Sequence, residues 1–213
     1  MKKIEIRGYK SIRKLELPLQ LVNILIGANG SGKTNLLSFF EFLRNVYMQN
    51  LRGYVAERGE EKLLHKGPKV TEAISAKLDF GKNKYSFTIK SSEAGFVFTE
   101  EGLWYNGNPY VNNPIDISTM SYESNLRQAT VARSQYIRDY LGGLVKYHFH
   151  DTSTNSPFTQ TSNVENDKYV LYSKGQNLAA FLYNIRQTAP VSYNLIVHTI
   201  QSIAPYFGDF YFQ

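Results

Sequence analysis

The sequence predicts an α/β fold: a sheet carrying a phosphate-binding loop and its helix, then an antiparallel β-rich part, then a helical carboxyl part. Three observations carry this reading. Apolar and charged residues alternate at the amino terminus. A glycine-rich octapeptide, Gly27–Thr34, separates an apolar run from a helical stripe. Alternation returns between Thr71 and Tyr110, before the period turns helical from Asn125 onward.

Taken in order, Ile4 and Ile6 alternate with Lys3, Glu5 and Arg7, and Leu15, Leu17 and Leu19 alternate after a turn at Gly8–Ser11. Val22-Asn23-Ile24-Leu25-Ile26 is nearly unbroken apolar sequence, the pattern of a central strand buried on both faces. Gly27-Ala28-Asn29-Gly30-Ser31-Gly32 forbids regular structure. Leu36, Phe40, Leu43 and Tyr47 then fall at helical spacing, with Phe39 and Val46 widening the stripe and an end near Arg52-Gly53. Ile74, Ala76, Leu78 and Phe80 alternate, Gly81-Lys82-Asn83 turns, and Tyr85, Phe87 and Ile89 alternate back. Phe96–Phe98 and Leu103–Tyr105 read as further short strands. Asn125–Leu141 reads as helix, Lys146–His150 as a short strand, and Thr152–Asp167 as a long polar loop. Helices at Gln176–Gln187 and Val191–Ala204, split by Pro190, close the chain. The expected organisation is one lobe: residues 1–52 with strands, loop and first helix, 71–110 antiparallel, and 125–213 mostly helical.

Composition narrows the function classes. The 213 residues are 42% hydrophobic and 20% charged, too apolar for a disordered chain. Zero cysteines exclude a disulfide scaffold, thiolate metal sites and cysteine nucleophiles. No run approaches a membrane span, and the basic start lacks the apolar core of a signal peptide, so a cytoplasmic protein without a membrane partner is expected. The net charge of +6 permits an anionic partner.

Gly27-Ala28-Asn29-Gly30-Ser31-Gly32-Lys33-Thr34 fits G-x-x-x-x-G-K-[ST], the P-loop or Walker A pattern. The chemistry needs each residue type. A triphosphate brings about four negative charges, which successive backbone N–H groups can meet only where glycines let the chain curl. The helix that follows adds its positive end. Lys33 supplies a mobile charge for the outer phosphates, the Thr34 hydroxyl ligates Mg²⁺, and Asn35 sits within reach of phosphate. Chance alone would produce the pattern in roughly one chain in a hundred of this size. Its position between an apolar run and an amphipathic helix makes it specific.

Hydrolysis also needs a carboxylate at the end of an apolar strand to hold hydrated Mg²⁺, and a group to orient water. No run of four apolar residues followed by Asp or Glu occurs after Lys33. Asp139-Tyr140-Leu141-Gly142 imitates a GTPase motif but falls on helical spacing, and no Asn-Lys-x-Asp base reader is present. Asp79-Phe80-Gly81 imitates a protein-kinase triplet without that family's other motifs.

Two segments carry a family resemblance: Ile4-Glu5-Ile6-Arg7-Gly8-Tyr9-Lys10-Ser11-Ile12, and Asn23 through Leu37 around the loop. Together they resemble the amino-terminal lobe of RecF/SMC-like ATPases with ABC-type heads. Tyr147-His148-Phe149-His150-Asp151-Thr152-Ser153 and Gly175–Leu182 are similar to a bacterial branch of RecF-like ATPases grouped with the AAA family. The resemblance implies ATP and Mg²⁺ as cofactors and Gly27, Asn29, Gly30, Ser31, Gly32, Lys33, Thr34 and Asn35 as their contacts. It implies a second half with a signature serine segment and a strand ending in Asp-Glu, and a head-to-head homodimer of the complete protein sandwiching two ATP molecules. It also implies work in DNA repair, chromosome maintenance or phage defence.

Other candidates keep more than one reading. His148, His150 and Asp151 fit a structural strand end, a metal site, or, by the resemblance, a nucleotide-sensing loop in which His150 and Asp151 act and Gln160 is the nearby glutamine. Arg7, Lys10, Arg13 and Lys14 fit solvated turn charge, DNA phosphate contacts or, for one of them, a nucleotide contact. Arg127, Arg133 and Arg138 fit an exposed face or an anion site. The 16 tyrosines and 13 phenylalanines fit an aromatic core better than base stacking. The expected function is ATP–Mg²⁺ binding with little turnover by this chain alone, with a non-catalytic nucleotide-binding module or a P-loop kinase or GTPase as rivals.

Overall fold

In the computed structural model, which describes residues 1–105, 114–118, 120–131, 134–147, 149 and 165–212, the alternating segments gather into one antiparallel sheet. Its strands are β1 (Lys3–Tyr9), β2 (Ile12–Pro18), β3 (Ala73–Asp79), β4 (Asn83–Ser92), β5 (Gly95–Tyr105) and β6 (Ile115–Ser118), in the order β2-β1-β3-β4-β5-β6. The chain divides into two units, Met1–Leu144 and Val145–Gln213, and the sheet lies in the first.

Period-two patterning decides which face is dry. Ile4, Ile6, Ile74, Leu78, Tyr85, Phe87, Ile89 and Phe98 are buried on one face. The α1 helix (Lys33–Tyr47) lays Leu36, Phe39, Phe42, Leu43 and Val46 into the same core. Tyr9 joins sheet to helix: its ring meets Phe39 edge-on at 5.0 Å and its hydroxyl donates to the Ser38 carbonyl at 3.1 Å. Burial holds that phenol well above its usual pKa, so it remains a donor. On the opposite face Lys3 pairs with Glu5 and Glu16 at 2.9 and 3.0 Å, and Lys14 with Glu16 at 3.0 Å.

A buried polar cluster fixes the far side of the sheet. Glu101 of β5, 1% exposed, accepts from the Tyr85 hydroxyl at 2.6 Å, from the Ser124 hydroxyl, and from the Asn125 amide at 2.9 Å. Glu123 next to it accepts from the Leu51 and Arg52 amides at 2.8 and 3.0 Å, closing the start of α2 (Leu51–Arg58). A short α3 (Glu60–Leu63) and α4 (Ser134–Gly142) complete this unit.

The second unit contains α5 (Leu178–Thr188) and α6 (Pro190–Ile203), the two closing helices expected, with Pro190 at the first turn of α6. Asn177 is its buried hub. The side-chain amide donates to the Asp167 and Val170 carbonyls at 2.6 and 2.7 Å, and its oxygen accepts from the Tyr172 amide at 2.8 Å.

Four expectations are corrected. Val22–Ile26 is not a strand: it pairs with no strand among the described residues, although β2 leaves an edge of the sheet open. The helix expected over Asn125–Leu141 is confined to Ser134–Gly142, since Ser124 and Asn125 are bound to Glu101 and the chain turns through Gln128 and Ala129. The first helix ends at Tyr47 instead of near Arg52, and Gly53 lies inside α2, whose start Glu123 caps. The two short strands expected at Phe96 and Leu103 are one strand, β5, with an irregularity opposite Thr88/Ile89. The antiparallel part is otherwise as expected through Tyr105. Of the strand expected over Lys146–His150, Lys146, Tyr147 and Phe149 are not in a strand, and His148 and His150 lie outside the described residues.

Candidate functional site

The loop between Leu21–Ile26 and α1 is shaped by its glycines. Gly30 and Gly32 stand at φ 82° and 93°, in the left-handed region that strains any side chain, and the space where a Gly30 side chain would project is open. A Cβ on Gly27 would come within 2.9 Å of Ser31 Oγ. The Ser31 amide donates to the Ala28 carbonyl at 3.2 Å, and the Leu36 amide to the Gly32 carbonyl at 3.0 Å, which starts the helix.

That start is left open to an anion. Gly32 brings no side-chain cap and no acidic residue stands in the first turn, so the amides of Lys33, Thr34 and Asn35 face outward with no helical carbonyl to bond. Lys33 is folded over the loop. Its ammonium donates to the Gly27 carbonyl at 2.6 Å, the Ala28 carbonyl at 2.8 Å and Ser31 Oγ at 3.2 Å. Asn29 and Thr34 are exposed.

The β1–β2 turn is tied to this loop, a connection that residue types alone did not show. The Asn35 side-chain amide donates to Ser11 Oγ at 2.7 Å, and Lys10, at φ 47°, donates from Nζ to Ser38 Oγ at 3.0 Å. The signal available in the sequence was the pairing of a basic turn with the glycine loop. A cleft of about 640 Å³ runs from the loop between Ile12–Leu15 on one side and Ile24–Ile26 on the other. Lys33, Arg13 and Lys14 line it, and no carboxylate does among the described residues. Of the basic residues in this turn, Lys14 is spent on Glu16 and Lys10 on Ser38, whereas Arg7 and Arg13 are exposed.

The remaining candidates fall outside this site. His150, Asp151, His148, Gln160 and Arg133 lie outside the described residues, and no group of three metal-ligating side chains occurs among the described ones. Arg138 is turned inward, donating to the Arg127 carbonyl at 3.0 Å and to Gln135 at 2.5 Å, so it is a helix tie and not an anion seat. Asp139 accepts from Gln135 one turn back on α4. Asp79 accepts from the Gly81 amide at 2.7 Å and pairs with Lys84 at 3.1 Å, a hairpin-turn role. Both resemblances to other nucleotide-enzyme motifs are thereby explained locally. The aromatic core expected is only part of the aromatic set: Tyr9, Phe39, Phe42, Tyr85, Phe87 and Phe98 are buried, whereas Tyr169, Tyr206 and Tyr211 are exposed. No helix among the described residues is long and apolar enough to cross a membrane.

The candidate site is thus an uncapped helix start behind a left-handed glycine loop, with a lysine folded over it. The AAA ATPase domain model matches residues 1–188, and the chain belongs to that family. Similar proteins bear out the RecF-like resemblance. The DNA replication and repair protein RecF of Phocaeicola vulgatus is 29% identical over 177 residues, covering 73% of this chain and 44% of that protein. Its namesakes in Bacteroides thetaiotaomicron and Bacteroides fragilis are 26% identical over 195 residues, covering 82% of this chain and 49% of theirs. The chain thus spans about half the length of the curated relatives it matches. A solved chain from "Structural biochemistry of ATP-driven dimerization and DNA stimulated activation of SMC ATPases" superposes with a TM-score of 0.32 at 20% identity, over 50% of this chain and 69% of that one.

Proposed function

We propose that residues 1–213 form the ATP–Mg²⁺-binding lobe of a RecF/SMC-like ATPase whose hydrolysis depends on groups from elsewhere in the protein. The observation that carries this reading is the open start of α1: three outward amides, no acidic neighbour in the first turn, and Lys33 held by nothing but its own loop. An arriving triphosphate offers Lys33 charged acceptors in place of two carbonyls and a hydroxyl, and charge-assisted bonds are about twice as strong as neutral ones. Gly27, Asn29, Gly30, Ser31 and Gly32 give the phosphates backbone amides without crowding, and Asn35 holds the helix start against Ser11. The exposed Thr34 hydroxyl is the residue that would hold Mg²⁺, which when bound neutralises phosphate charge.

Turnover is a separate matter. Among the described residues the cleft contains no carboxylate to act as the strand-end metal ligand, and the signature segment implied by the resemblance is not in residues 1–213. Binding by this chain with little hydrolysis follows. His150 and Asp151 remain the proposed nucleotide-sensing pair. The relatives' names support a role in DNA replication and repair. The exposed Arg7 and Arg13 are the proposed DNA contacts, and the resemblance adds chromosome maintenance or phage defence and a head-to-head dimer of the complete protein in the cytoplasm.

Isothermal titration of the purified chain with ATP and with GTP, each with Mg²⁺ or EDTA, tests the reading together with a phosphate-release assay. ATP binding that weakens in EDTA, without phosphate release above buffer, is the expected result. Absence of ATP binding overturns the assignment. Strong hydrolysis by the chain alone overturns the division of labour, and preference for GTP favours the GTPase rival.

A further inference from the structure

On the polar face of the sheet, opposite the face that α1 covers, lies a second cavity of about 200 Å³. That is below the roughly 300–1,000 Å³ of pockets for drug-sized ligands, so it suits a smaller molecule. The strand register builds it. Arg7, Ser75, Thr88 and Glu100 stand opposite one another across β1, β3, β4 and β5, with Lys77 and Ser86 paired in the neighbouring row. Short hydroxyl side chains make the floor and long charged ones the rim. Arg7 and Glu100 are three strand spacings apart, about 14 Å, and both line the cavity without forming an ion pair.

Most charges on this face are already matched. Lys3 meets Glu5 and Glu16, Lys14 meets Glu16, and Lys84 meets Asp79. Three are not. Arg7 is exposed and has no hydrogen bond or ion pair among the described residues. Lys77 has only the ring of Trp104 among them, 4.8 Å from its ammonium. Glu100 accepts at 2.9 Å from the Thr88 hydroxyl, which brings no charge, and its second oxygen has no partner among the described residues. The Ser86 oxygen takes the Trp104 indole N–H at 3.0 Å, which leaves the hydroxyl proton to donate. Two cations, one carboxylate and a spare hydroxyl thus surround one small space.

We propose that this cavity binds a free acidic amino acid, glutamate or aspartate. Such a molecule carries two carboxylates and one ammonium, the charge complement of Arg7, Lys77 and Glu100. One carboxylate meets the planar fork of Arg7, which matches it with two parallel bonds. The other draws Lys77 from the Trp104 ring and accepts the Ser86 proton. The ammonium turns to Glu100, which no described cation neutralises. A DNA backbone would offer phosphates to Arg7 and Lys77 but only repulsion to Glu100. Arg7 serves DNA or this ligand, not both together. The inference stands apart from the nucleotide reading, since no residue of Gly27–Asn35 lines the cavity.

Trp104 is the sole tryptophan of the sequence and stands beside Lys77, so its fluorescence reports on this cavity. Titration of the chain with glutamate, followed by emission and by calorimetry, should show saturable binding. Glutarate, which lacks the ammonium, and glutamine, which lacks one carboxylate, should each bind roughly tenfold weaker or worse, the loss of one hydrogen bond between charged groups. Arg7→Gln should cost glutamate a similar factor at an unchanged unfolding midpoint. Glu100→Gln should erase the preference for glutamate over glutarate, which a merely structural role would not do. No saturable binding of glutamate by either readout, equal affinity for glutarate, or an Arg7→Gln variant that binds as the parent does overturns the proposal. Binding of a duplex oligonucleotide at Trp104 with no response to glutamate gives this face to DNA and overturns it as well. If Arg7→Gln lowers the midpoint, the change of preference in Glu100→Gln decides alone.

Discussion

Replacing Lys33 with alanine separates the loop's structural contacts from its binding role. In the structure the ammonium donates three bonds, at 2.6, 2.8 and 3.2 Å, to the solvent-accessible acceptors of its own loop. Substitutions at such surface positions usually move stability by no more than about 0.5 kcal/mol, so the unfolding midpoint of Lys33→Ala should match the parent. Toward ATP the same group offers a hydrogen bond to a charged acceptor, worth about 1.5–3 kcal/mol. At 1.4 kcal/mol per decade this is roughly 10- to 150-fold in affinity. The variant does not have to break the three self-bonds before binding, which returns part of the loss, so an effect of roughly thirtyfold is the central expectation. Titration calorimetry at fixed Mg²⁺, with thermal unfolding of the same samples, reads both quantities. Lys33→Arg keeps the charge but replaces a compact ammonium by a planar fork and should recover only part of the affinity. Unchanged ATP affinity in a folded Lys33→Ala variant would refute the phosphate assignment.

Three further outcomes follow from contacts away from the loop. Glu101→Ala strands the buried Tyr85 hydroxyl and the Asn125 amide, and should cost about 3 kcal/mol in urea unfolding; a loss within 0.5 kcal/mol, the range of ordinary surface changes, would mean the cluster does not anchor the sheet. Gly8→Ala would place a methyl 2.1 Å from the Ala73 carbonyl oxygen at φ 75°, so this variant should lose well over 1 kcal/mol of stability or fail to accumulate as folded protein; a parental unfolding curve would contradict the β1–β3 packing. Hydrogen bonds from Lys3 and then Lys14 lower the Glu16 carboxyl from 4.5 to about 2. A depressed carboxyl favours the folded state above the unfolded value and loses that advantage as pH falls through the folded one, so this contribution fades between about 4.5 and 2. Carbon-detected NMR titration should place the Glu16 midpoint there and shift it upward in high salt; an ordinary midpoint would show that the ion pairs do not form.

Where local pattern and burial coincide, the sequence was easy to read. Ile74–Phe80 and Tyr85–Ile89 alternate because one face of β3 and β4 is dry, and period-two alternation reports that directly. Pro190 and the helical spacing on either side of it located α5 and α6. Gly30 and Gly32 stand out because left-handed backbone admits little else. Less legible were contacts between segments far apart in sequence. Nothing in Asn125–Leu141 announces that Ser124 and Asn125 are claimed by Glu101, more than twenty residues away, which is what shortens the expected helix to α4. The bond between Ser11 and Asn35 was hidden for the same reason.

Val22–Ile26 fails differently, and its failure bears on the class of machine. An apolar run reports that a segment is to be buried; it does not report which strands will bury it. Here the prediction of a central strand meets a sheet whose six strands are all antiparallel and whose edge strand on that side is β2. The run stands exposed beside β2, across the cleft that ends at Lys33. The described residues therefore complete the antiparallel sheet, the core beneath α1 and the polyphosphate loop, while the strand leading into that loop has no partner among them. A site that depends on its lead-in strand is then half positioned. Its amides are set by α1, which packs through Phe39, Phe42 and Val46, and its carbonyl side, Gly27 and Ala28, is held only by bonds from within the loop, from Lys33 and the Ser31 amide. That asymmetry makes the loop the point at which nucleotide binding and assembly of the larger protein would meet.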